Sequence, residues 1–213
     1  MTEGSDSGDA ASRIRMIAYH EAGHALAAFL EDVPISKISL RDEIGSHIEN
    51  NGSVDYEDEQ SIPDKIRIDL AIGGDASVAV FEGSGTSAPL RDDETTDFHR
   101  FQEHVRRIFR QDGKEPTSEE VKAYYQNRRD VMIERFSTPK NRLALKNCAE
   151  QLQAGSRVVD TGGDPEKPRN WHCLFGGQAL EIFQEAMRDT DDEGVSKDSS
   201  DMSNRDVDKE TGF

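Results

Sequence analysis

Ile14-Arg15-Met16-Ile17-Ala18-Tyr19-His20-Glu21-Ala22-Gly23-His24-Ala25-Leu26-Ala27-Ala28-Phe29-Leu30 carries apolar side chains at helical spacing and meets no proline until Pro34. With Ser12 as a plausible N-cap, the expectation is a helix over residues 13–31. On such a helix His20 and His24 are separated by about 400° of rotation, which leaves their imidazoles about 40° apart and about 6 Å along the axis. Both can then reach one metal ion, with Glu21 on the adjoining surface. Neutral imidazoles suit zinc, and a carboxylate held beside that ion can take a proton from water, which is the chemistry of the H-E-x-x-H pattern. The plainer reading, that both histidines are ordinary helix residues, stays open from these residues alone.

Working outward, Ile35-Ser36-Lys37-Ile38-Ser39-Leu40 alternates apolar with polar residues, and Gly52-Ser53-Val54-Asp55-Tyr56 offers a partner strand after the Asn50-Asn51-Gly52 turn signal. A small hairpin is expected. Helical spacing returns from Pro63 to Phe81 and stops at Gly83-Ser84-Gly85, with a loop to about Asp92. Phe98 to Phe109, Val121 to Phe136, Leu143 to Leu152 and Leu174 to Met187 read as four further helices. Residues 153–173 read as a long loop holding Gly162-Gly163-Asp164-Pro165, His172 and Cys173. The expected fold is mainly α with one small β-hairpin, in a single domain over residues 13–187. Residues 1–12 and 188–213 are too polar to bury and are expected to be disordered tails.

The chain has 26 Lys and Arg against 43 Asp and Glu, a net charge of -17, which opposes binding to phosphate backbones and argues against a nucleic-acid partner. A mean hydropathy of -0.78 and the lack of any long apolar run argue against a membrane partner. The opening MTEGSDSGDA lacks the basic and apolar regions of a secretory signal, so the expected location is cytoplasmic. Cys148 and Cys173 form no C-x-x-C pair and are expected to be buried thiols.

Ala18-Tyr19-His20-Glu21-Ala22-Gly23-His24-Ala25-Leu26 resembles the zinc helix of the FtsH-type ATP-dependent metallopeptidases. The likeness continues downstream. Leu70-Ala71-Ile72-Gly73-Gly74-Asp75-Ala76 resembles the family's Gly-Gly helix, Gly83-Ser84-Gly85 its glycine-containing loop, and Asp97-Phe98-His99-Arg100-Phe101 its ligand-bearing segment. The resemblance implies that His20, His24 and Asp97 hold zinc and that Glu21 is the general base. A metzincin would have Gly and His where Ala27 and Leu30 stand, and a thermolysin-like glutamate from a following helix is less favoured, since Glu43 and Glu49 fall in the hairpin region. Asp92, Asp93 and Glu94 remain alternatives to Asp97. Each of these acids, Asp97 included, also has a reading as a complement to the positive end of the following helix. Thr95-Thr96 departs from the Ser-Asn or Gln-Asn that commonly precedes the aspartate in the family.

Leu143 to Leu152 with Leu174-Phe175-Gly176-Gly177-Gln178-Ala179 resembles the family's closing helix pair more weakly. His99 and His104 are about 140° apart on a helix and cannot easily share a metal, while His47 reads as a loop residue and His172 as a surface histidine. No G-x-x-x-x-G-K-[ST] phosphate loop occurs in the 213 residues. The likeness therefore covers the peptidase domain, about residues 14–187. It implies a zinc metalloendopeptidase without its own ATPase, acting on a peptide or unfolded protein, with a separate ATPase or a homo-oligomer as open partnerships. A catalytically weak zinc-binding interaction domain is the alternative, and the intact Glu21 argues against it, because a structural zinc needs no base.

Overall fold

The apolar repeat around His20 and His24 forms a 25-residue helix, α1 (Asp6–Leu30), in a computed structural model that describes residues 6–41, 52–83, 96–160 and 169–192. The helix begins before Ser12, which lies inside it and is not its N-cap. Ala10 and Ala11 are strong helix formers, so nothing in their chemistry requires a start at Ser12. At the other end Asp32 takes a left-handed φ of 53°, and the Val33 amide donates to Ala28 O at 2.9 Å. This is a Schellman closure, and Pro34 follows it.

The chain continues through β1 (Ile35–Arg41), β2 (Gly52–Tyr56), α2 (Asp64–Glu82), α3 (Thr96–Gln111), α4 (Ser118–Phe136), α5 (Pro139–Ala154), β3 (Ser156–Asp160), β4 (Arg169–Phe175) and α6 (Gly176–Asp192). The fold is mainly helical with one small antiparallel sheet. Helix starts follow local chemistry. Thr117 accepts from the Glu120 amide while the Thr117 amide donates to Glu120 Oε2 at 2.8 Å, a capping box that opens α4. Thr138 caps α5 with Pro139 just inside. Gly83, at φ 66°, ends α2, which agrees with the break expected at Gly83-Ser84-Gly85.

The sheet has four strands in the order β2-β1-β4-β3, which corrects the expected hairpin to one half of a larger sheet. Ile38 faces Val54 on one side and Leu174 on the other. Residues 153–173, expected to be a loop, supply most of β3 and β4, and Leu174 and Phe175 complete β4 instead of starting the last helix. Both strands are short, and β4 gains its place by pairing with β1, more than a hundred residues earlier in the chain, which local alternation does not reveal. The last helix also runs to Asp192, past the expected boundary at 187.

Ile38, Leu40 and Leu174 form the sheet's buried face, and Leu26, Ile72, Phe101, Phe136, Leu152 and Phe183 fill the core from the helices. Ala18, Ala22, Ala25, Ala27 and Ala28 are fully covered, and they let neighbouring helices approach α1 closely. The closest approach is to α2, where a Cβ added to Gly73 would lie 2.6 Å from Gly23 O. Ser77 of α2 spans the same contact by donating its hydroxyl to Tyr19 O at 2.6 Å. No helix among the described residues is long and apolar enough to cross a membrane.

Candidate metal centre

Three elements meet at His20. α1 presents His20 and His24 one turn apart, α2 packs beside them through its glycines, and the first turn of α3 brings Asp97 to the pair. His20 Nε2 lies 3.0 Å from Asp97 Oδ2, His24 Nε2 lies 3.2 Å from the same oxygen, and the two Nε2 atoms are 3.0 Å apart. Among the described residues, this is the group of three His, Cys, Asp or Glu side chains whose ligand atoms converge in this way.

The triangle fits zinc. Tetrahedral ligands at about 2.0–2.1 Å from the ion stand about 3.3–3.4 Å from one another, close to the three separations observed. Orientation fits as well. His24 Nδ1 lies 2.6 Å from Leu70 O and donates to it, so the neutral ring turns the lone pair of Nε2 towards Asp97 and His20. A cation at the centre of two imidazole nitrogens and a carboxylate oxygen would stabilise that convergence, and three protein ligands would leave one tetrahedral position open.

Electrostatics point the same way. Burial works against a charged His24, yet the Asp97 carboxylate outweighs it and raises the histidine's pKa to about 9. Burial would likewise raise Asp97, but His24 and His20 hold it well below the usual carboxylate range. Asp97 thus remains an anion beside the two rings. Glu21 is 6% exposed. Burial raises its pKa, and His20 and His24 oppose the rise.

Two glycines give the site its clearances. A Cβ on Gly74 would lie 2.6 Å from His20 Nδ1 and Nε2, and one on Gly52 would lie 2.6 Å from Glu21 Cδ. A methyl at either position occupies space the functional side chain needs. Gly74→Ala leaves the helix intact and turns the His20 imidazole away from Asp97. Zinc affinity is expected to fall by about 10- to 100-fold, the cost typical of misoriented ligands, with little change in helical content. A competition titration against a fluorescent zinc chelator, alongside circular dichroism, checks this. Unchanged affinity would show that Gly74 does not set the orientation of His20.

Asp92, Asp93, Glu94, Thr95, Glu43, Glu49 and His47 lie outside the described residues. His99 is exposed, whereas His104 is buried with its Nδ1 2.7 Å from Asp64 Oδ1. His172 is half-buried within β4, its Nδ1 3.2 Å from Gly155 O, instead of lying on the surface. Cys148 and Cys173 are both buried, as expected. The residues not anticipated are Leu70, through its carbonyl, Gly52, Tyr56 and Arg100. Burial and the Glu21 carboxylate raise the Tyr56 phenol. No spacing rule marks Leu70, Gly52 and Tyr56, because each reaches the site by packing of β2 or α2 against α1, whereas Arg100 stands three residues after Asp97 on α3.

No protein-family model matches the chain, and no curated protein matches it.

Proposed function

We propose that the protein is a zinc-dependent metalloendopeptidase of FtsH type, with His20, His24 and Asp97 as zinc ligands and Glu21 as general base. The observation that carries this is the triangle of ligand atoms, with edges of 3.0, 3.0 and 3.2 Å, on the helix that also bears Glu21. A zinc ion supplies there a Lewis acid that polarises a peptide carbonyl and lowers the pKa of water to about 7. Leu70 O fixes the ring of His24 through Nδ1 and so keeps Nε2 directed at the centre. Glu21, confined by burial and by β2 at Gly52, accepts the proton of the attacking water on a carboxylate oxygen and returns it to the departing amine. A cytoplasmic location fits the two unpaired thiols, Cys148 and Cys173.

The sequence holds no phosphate loop, so these residues supply no unfolding motor. A peptide bond reaches such a centre only in an extended segment, which a folded protein offers at mobile loops, termini and transient openings. Cleavage of reduced, unfolded casein is therefore expected, and a stable folded domain is expected to be cut at least about a thousandfold more slowly, as its unfolded fraction dictates. ATP changes neither rate. A gel time course on one substrate in folded and denatured forms, with and without ATP, tests this. Efficient degradation of the folded form or stimulation by ATP contradicts the account. No cleavage by protein carrying about one zinc per chain favours the interaction-domain alternative.

A further inference from the structure

Arg100 follows Asp97 by three residues on α3, so the two side chains share one side of the helix within a turn of each other. Its side chain is exposed. Four other helix arginines have carboxylates of their own: Arg107 holds Asp64, Arg110 holds Glu115, Arg128 holds Asp69 and Arg135 holds Glu31. Arg100 makes no hydrogen bond or ion pair among the described residues, and α3 places it one turn after Asp97. A guanidinium one turn from Asp97, exposed and without a carboxylate partner among the described residues, is available to a substrate.

We propose that Arg100 makes the centre selective for substrates carrying a carboxylate beside the bond to be cut, supplied by an acidic side chain or by a free C-terminus. The inference rests on the metallopeptidase reading. A guanidinium binds a carboxylate through paired, charge-assisted hydrogen bonds, in a geometry that a neutral amide or an amidated terminus does not match. The background field works in the opposite sense. With a net charge of -17, the protein repels acidic peptides at long range, so a preference for them has to come from a local cation.

The test uses zinc-loaded Glu21→Gln protein, which reads binding without turnover. Fluorescein-labelled octapeptides of Ala and Leu, with a single Glu or Gln walked through the positions and each made as free acid and as amide, are titrated by anisotropy. Glu over Gln, or acid over amide, is expected to bind about tenfold tighter, the gain typical of a hydrogen bond to a charged group. The arm that responds identifies the source of the carboxylate. Adding Arg100→Gln removes the preference, Arg100→Lys keeps part of it, and Arg110→Gln, with the same change of net charge, keeps it all. Equal binding of every peptide, or a preference that survives Arg100→Gln, overturns the proposal. Casein hydrolysis by the protein with Glu21 intact judges the peptidase reading separately. Cleavage without a carboxylate preference refutes only the role of Arg100. An Arg100-dependent preference without cleavage refutes the peptidase and leaves the carboxylate site standing.

Discussion

Asp97→Ala is expected to lower zinc affinity by more than about 100-fold, beyond the 10- to 100-fold typical of residues that merely orient a ligand. Its carboxylate oxygen stands 3.0 Å and 3.2 Å from the two imidazole nitrogens, so its removal opens one side of the triangle and leaves two ligands. The neighbouring acids act differently. Asp93→Ala or Glu94→Ala removes a charge near the N-terminus of α3, worth about 0.3–1 kcal/mol, or roughly two- to fivefold. α3 keeps its anchorage in all three variants, because Phe98, Phe101 and Val105 are buried against the core. Competition titrations against a chelator of known affinity separate the outcomes. Equal losses in the three variants would remove Asp97 from the ligand set.

The second large effect is on turnover at constant metal content. Glu21→Gln is expected to slow hydrolysis of unfolded casein by about 10²- to 10⁴-fold, the contribution typical of a positioned general base, while zinc content stays at the parent level. The amide has nearly the shape of the carboxylate and fits the space bounded by Gly52, yet it cannot take up the proton. Folding is not the obstacle, since burial already disfavours the charge on Glu21. Initial rates at matched zinc loading measure the effect. A variant that keeps the parent rate would place the base elsewhere.

Much of this arrangement was legible before any coordinates. His20, Glu21 and His24 are local: a spacing of four residues on an apolar helix fixes their relation whatever the rest of the chain does. The small residues of α1 likewise signal a close helix contact, and the backbones of α1 and α2 meet there. Asp97, 73 residues from His24, is of another kind. No periodicity links the two, and only resemblance to a known ligand-bearing segment singled it out among several acids. Tyr56 and the Leu70 carbonyl lay beyond both routes, because backbone atoms and side chains brought together by packing carry no spacing signal. The sheet shows the same limit. β1 and β2 were visible from alternation, whereas β4 depends on a partner in β1 far away in sequence.

The central claim, that the His20, His24 and Asp97 centre drives peptide hydrolysis, is tested most directly by titrating zinc into chelator-stripped protein while following cleavage of unfolded casein. The account predicts a negligible rate in stripped protein, a linear rise with added zinc and a plateau at about one equivalent per chain, the stoichiometry of a single three-ligand site. A full rate in stripped protein, or the same zinc-dependent rate from Asp97→Ala, would contradict it.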